Sequence, residues 1–135
     1  MKKLILLVAG MIMLASSVAL YAAEKPHSII HVVTLYWKDG TTDAQKKEVF
    51  DGIEKMGKEV PGLTRVWLKS IKVQGAYPVK DDSGVIKPVP LTDAFVMEFK
   101  DEAAFKGYTD HAAHKAWEKV YTQVRGRSVT HDITN

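Results

Sequence analysis

The sequence contains no cysteine. That excludes a disulfide scaffold, a thiolate metal site, a cysteine nucleophile and a lipidated cysteine anchor. Arginine is scarce: Arg65, Arg125 and Arg127 are the only three, and lysine forms no dense stripe beside them. A nucleic-acid surface is therefore not expected. No serine stands in a Gly-x-Ser-x-Gly elbow, so a hydrolase of that type is disfavoured. A glycine-rich dinucleotide motif, a repeat of 20–50 residues and low-complexity stretches are also missing. What is present is 135 residues, 46% hydrophobic and 26% charged. That suits one ordinary folded domain and excludes intrinsic disorder.

The net charge of +3 is partly a property of the first residues. Lys2 and Lys3 precede a charge-free run from Leu4 to Ala23. A basic start, an apolar stretch and a small-residue end match a secretory signal peptide over residues 1–23. Ser17-Val18-Ala19 is its best small-x-small site. The alternative, an uncleaved anchor, is disfavoured because Ser16-Ser17 and the alanines dilute the run. Cleavage removes two of 19 basic residues, and the balance against 16 acidic ones falls to +1. The expected protein is exported, periplasmic or secreted, with no membrane contact beyond the signal peptide and a single domain over 24–135.

Ile29 to Trp37 is β-branched and aromatic and reads as a buried strand. Thr42, with Gln45 three residues on, opens a helix as a capping box. Val49, Phe50, Ile53, Met56 and Val60 form its inner face, and Pro61-Gly62 stops it. Leu63 to Val73 reads as a strand with an imperfect alternation that suggests a bulge. Residues 74–91 hold three of the five prolines and read as an excursion, an irregular hairpin centred on Asp82-Ser83. Thr92 to Lys100 alternates, with Asp93, Phe95, Met97 and Phe99 on one face. Asp101 caps a helix to about Thr109, Asp110 caps a second from His111 to about Gln123, and Arg127 to Ile133 is a last strand.

This β-α-β, excursion, β-α-β order predicts an α+β, ferredoxin-like split βαβ fold: an antiparallel sheet with the helices on one face. In the first strand Ile30, Val32 and Tyr36 alternate with His31, Val33, Leu35 and Trp37. Both faces of that strand are apolar, so the uncovered face needs a partner. A second copy of the sheet, in a C2 homodimer, supplies it most economically.

Polar residues on apolar elements are the candidate site. His31 sits within an apolar strand, and Asp93 shares the face of Phe95, Met97 and Phe99 in another. The fold makes those strands neighbours, so a His31–Asp93 pair is expected, fixing an imidazole tautomer for general-base work. His111 and His114 are three apart on a helix, too few for a metal site; no metal and no cofactor are expected. The competing reading is a tied, structural histidine in each case. Tyr108, in Tyr108-Thr109-Asp110-His111-Ala112-Ala113-His114, stands beside them, and Trp117 points inward from the same helix. Together they could line a pocket between helix and sheet and exchange a proton with a carbonyl compound.

The strand IHVVTLYWKDG, Ala44-Gln45, Pro61-Gly62, TDAFVMEF and above all FKGYTDHAAH resemble the stress-responsive A/B barrel (Dabb) family over about residues 29–133. The resemblance implies a dimeric α+β barrel. The family includes a polyketide cyclase that uses a Tyr and a His from the second helical region, positions matched here by Tyr108 and His114. His31 matches its first-strand histidine. Asp93 stands where that cyclase has a strand histidine, and Ala112 replaces the proline usual after His111. The resulting expectation assigns His114, Tyr108 and His31 to acid–base catalysis on a small molecule, with Asp93, His111 and Trp117 lining the ligand. Tyr108 is expected to hydrogen-bond His114, and His31 with Asp93 to form the pocket floor. The alternatives are a non-catalytic stress-response module, or an interaction protein using 74–91 as its contact arm.

Overall fold

The computed structural model describes residues 27–135. The expected signal peptide, 1–23, lies outside the described residues. Among these, no helix is long and apolar enough to cross a membrane. Strand β1 (Ile29–Trp37) leads into helix α1 (Asp43–Glu59). Thr42 Oγ1 accepts from the Gln45 backbone N–H at 3.3 Å, and Gln45 Oε1 accepts from the Thr42 N–H at 2.9 Å. This reciprocal box satisfies two donors that a helix start leaves open. At the other end Gly62 takes a φ of +82°, and a Cβ there would meet the Ala104 side chain at 2.5 Å. Only glycine suits both demands.

Strand β2 (Leu63–Trp67) follows, then a hairpin of β3 (Ala76–Lys80) and β4 (Ile86–Pro90). Strand β5 (Asp93–Phe99), helices α2 (Glu102–Tyr108) and α3 (Ala112–Val124), and strand β6 (Arg125–Ile133) complete the chain. The main sheet has the order β2-β5-β1-β6 with every neighbour antiparallel. This is the ferredoxin-like fold. Strand β2 is shorter than its sequence suggests. The expected bulge lies between Leu63 and Arg65, but pairing stops at Trp67 and Ile71 is fully exposed. The chain leaves the sheet edge there to reach the hairpin.

The hairpin itself is regular, in contrast to the irregular excursion expected. Its turn is organised by Asp81, whose carboxylate accepts from the Ser83 and Val85 N–H groups and pairs with Lys87 at 2.8 Å. The Lys87 ammonium, followed by the Ser83 hydroxyl, holds the Asp81 carboxyl down at about 2.

Alternation along β1 separates two faces. His31, Val33, Leu35 and Trp37 are buried beneath the helices with Phe95, Met97 and Phe99 of β5. Val49, Ile53 and Met56 of α1 close that core. On the other face the register sets Val32 beside Val96 and His131, Val96 beside Trp67, and Ile30 beside Ile133. Among the described residues no element covers this face, and Trp67 and Ile133 remain 46% and 55% exposed. Glu98 is buried on it and pairs with Arg65 Nε at 2.6 Å.

Candidate acid–base site

His31 projects from the centre of β1 toward the helices. Its register partners are Met97 on one side and Asp132 on the other. His31 Nδ1 lies 2.6 Å from Asp132 Oδ1. An ionised carboxylate only accepts, so Nδ1 carries a proton, and in the neutral tautomer Nε2 keeps its lone pair. The Tyr108 hydroxyl donates to that Nε2 across 3.3 Å. Asp132, His31 and Tyr108 thus form a chain running from a half-exposed carboxylate to a buried phenol. Burial, then the charges of Asp132 and Glu118, push the Tyr108 phenol up to about 12, so it remains a proton donor at neutral pH.

Tyr108 closes α2, and the short Thr109–His111 link turns the chain into α3. His114, in the first turn of α3, donates from Nδ1 to the Thr109 carbonyl at 3.2 Å. In the neutral ring, which burial favours, the opposite nitrogen, Nε2, is unprotonated, and it has no hydrogen-bond partner among the described residues. Its ring meets Tyr108 edge-on at 4.7 Å. Burial is the main cause of a lowered His114 pKa. The folded protein thus binds this proton less readily than the unfolded chain does. The stability tied to neutral His114 is full above the ordinary histidine pKa and is lost as pH falls through the lowered value. Urea titrations from pH 7.5 to 5 should show stability falling with pH, and a His114→Gln variant should show a shallower fall.

Trp117 forms the next step of the wall. Its Nε1 donates to the Val49 carbonyl at 3.0 Å, and its ring stacks on Tyr121 at 4.6 Å. Gly52 of α1 makes room for it: a Cβ there would come within 2.6 Å of Trp117 Cδ1. Between this wall and the sheet lies a cavity of about 140 Å³ lined by His31, Tyr108, His114, Trp117, Tyr121 and Arg125. Its volume is similar to that of a cavity that admits one benzene-sized molecule.

The structure corrects three expected contacts. Asp93 does not reach His31. It pairs with Leu35, four residues along β1, and its carboxylate accepts from Trp37 Nε1 at 2.6 Å. There it lines a separate, open cavity of about 760 Å³ under the hairpin, with Tyr36, Val79 and Val89. His31 takes Asp132 as its carboxylate partner instead, and Asp132 stands outside the lining of the His31 cavity. Tyr108 bonds His31 and not His114, which it touches only through its ring. His111 caps α3 in place of Asp110, its Nδ1 accepting the Ala113 N–H at 3.2 Å, and it lies outside the His31 cavity. Sequence reasoning passed over Asp132, Tyr121 and Arg125. The alternation Ser128, Thr130, Asp132 carried the signal, but only the register of β6 against β1 sets it beside His31.

The family model described as the Stress responsive A/B Barrel Domain (Dabb) matches residues 29–135. The chain belongs to the Dabb family. No curated protein matches this Dabb chain significantly. A Dabb family protein from Mesorhizobium loti with a ferredoxin-like fold is 22% identical, with TM-score 0.58 over 80% of this chain and 96% of its own. A dimeric ferredoxin-like protein of unknown function from Thermobifida fusca is 20% identical, with TM-score 0.60 over 82% and 92%. Hydroxynitrile lyase from Passiflora edulis is 15% identical, with TM-score 0.63 over 82% and 94%. At these identities the likeness concerns the fold.

Proposed function

We propose that this Dabb chain is an exported homodimer that binds a small carbonyl compound in the His31–Tyr108–His114 cavity and acts on it by acid–base chemistry. The carrying observation is the pairing of two unlike groups in one small cavity. One is a histidine nitrogen with a free lone pair, and the other is a phenol that keeps its proton. Export is inferred from the residue order of 1–23 alone. Dimerisation is supported by the uncovered apolar sheet face and by the description of the Thermobifida fusca relative as dimeric.

In this reading His114 Nε2 removes a proton next to the substrate carbonyl. Tyr108 turns its O–H from His31 Nε2 to the carbonyl oxygen and stabilises the charge developing there. Asp132 keeps His31 in the tautomer that accepts from Tyr108, so the phenol stays aimed until substrate replaces that contact. A base and an acid on one small molecule suit aldol-type ring closure. They also suit a lyase reaction of the kind that the name of the Passiflora edulis relative states.

Exchange of the α-protons of acetophenone into D₂O, followed by proton NMR, tests this without knowledge of the natural substrate. The protein should accelerate exchange. His114→Ala and Tyr108→Phe should each reduce the acceleration by about 10²–10⁴-fold while remaining folded. The rate should rise with pH through a midpoint below the ordinary histidine value. No acceleration, or acceleration untouched by both variants, would favour the second reading, a non-catalytic module. That reading is supported by the contacts His31 and His114 already make inside the fold.

A further inference from the structure

The cavity has a second polar end that the acid–base chemistry does not use. His114 and Tyr121 are seven residues apart on α3, two turns, so their backbones are separated by roughly 10 Å along the axis. At the Tyr121 end the chain passes from α3 into β6 through Arg125, whose pairing with Trp37 turns it toward the helix side of the sheet. The Arg125 guanidinium lies over the Tyr121 ring, 5.1 Å from its centre, and Nη1 donates to Ser128 Oγ at 3.3 Å. No carboxylate forms an ion pair with it among the described residues. Arg65, by contrast, is neutralised by Glu98. Beside Arg125 the Tyr121 hydroxyl is buried and completes no hydrogen bond, although Ser128 and Arg125 are its polar neighbours. A buried hydroxyl and an unneutralised guanidinium at one cavity wall leave donors without an acceptor.

We infer that Arg125, with the Tyr121 hydroxyl and Ser128, recognises the carboxylate of the ligand, so that the cavity takes a small planar monocarboxylate whose carbonyl lies at the Tyr108–His114 end. This rests on the acid–base reading of the same cavity and names its substrate class. A planar guanidinium stacked on a ring presents its fork in a fixed plane, which matches a carboxylate through two parallel hydrogen bonds. A single guanidinium in the lining suits the one charge of a carboxylate and not the two of a phosphate ester. Glu118 also lines the cavity and opposes an anion there, but its side chain is exposed and screened by water. Thr130, on the same strand face as Ser128, adds a further hydroxyl to the wall.

Two probes of nearly equal shape and of a size the cavity admits decide the matter: benzoate and its neutral amide, benzamide, titrated by calorimetry and by tryptophan fluorescence. The acid should bind about ten- to a hundred-fold more tightly than the amide. Arg125→Met, which keeps most of the aliphatic stem, should reduce that preference to about twofold by weakening acid binding far more than amide binding. Arg125→Lys should retain part of the preference, and Tyr121→Phe should weaken acid binding several-fold. Equal affinities, a preference that survives Arg125→Met, or no binding of either probe would overturn the inference. The acetophenone exchange is a separate readout. If exchange persists without a carboxylate preference, only the substrate class fails. If the preference follows Arg125 and no exchange occurs, the acid–base reading fails alone.

Discussion

Val96→Asp is expected to sediment as a folded monomer at protein concentrations where the parent chain is a dimer. Val96 sits in the middle of the uncovered face, between Val32 of β1 and Trp67 of β2. In a lone subunit this face meets water, so a carboxylate there is hydrated and the helix side of the sheet is untouched. In a closed pair of sheets the same carboxylate is buried without a cation. That costs several kcal/mol in each subunit, enough to weaken association by about 10³-fold or more. Sedimentation equilibrium and circular dichroism on both proteins read the two halves of this expectation. A variant that stays dimeric, or a parent that is monomeric at tens of micromolar, would move the subunit contact elsewhere.

One residue earlier, Phe95→Ala should leave any assembly intact in kind but remove much of the fold's stability. Phe95 points to the opposite side and is 1% exposed. Its ring stands edge-on to Trp117 at 5.9 Å and to Tyr121 at 6.0 Å, so it supports the inner wall of the cavity. Truncation of such a phenylalanine costs about 3–5 kcal/mol, the transfer of the ring plus the void it leaves. Domains of this size have about 5–15 kcal/mol in all. Urea denaturation should show the midpoint falling with little change in slope. A loss under about 1.5 kcal/mol would mean that the surrounding helices collapse into the gap. In that case the cavity would be deformable, and ligand binding should weaken with it.

The contrast between these neighbours was legible in the sequence, because alternation is a local property. Both ends of β1, the capping box at Thr42 and the glycine stop at Gly62 follow from residues within a few positions of one another. The partner of His31 was not legible. Adjacency of β1 and β5 follows from topology, but their register places Asp93 four positions away from His31 and gives its carboxylate to Trp37. Asp132 took the place instead, from a strand whose offset depends on the length of α3 and the irregularity at Tyr36/Trp37. The cap of α3 shows a similar limit. Asp110 and His111 are both competent acceptors, and the turn from Tyr108 presents His111 to the Ala113 N–H. Tyr121 is a core residue, and its buried hydroxyl gains meaning only beside Arg125.

The hairpin under Asp93 has a consequence for how the protein behaves among other chains. Pro78 of β3 faces Pro88 of β4, and Pro90 lies two residues further on the same side of β4. Proline has no N–H, so these three sit at positions that give nothing to the ladder between β3 and β4. Their missing donors are the outward ones. Each rim of the ribbon therefore offers a visiting strand a broken row of hydrogen-bond sites. Val85 and Ile86 can stay exposed near the tip without inviting strand addition, and the chain is guarded there against growing into fibres.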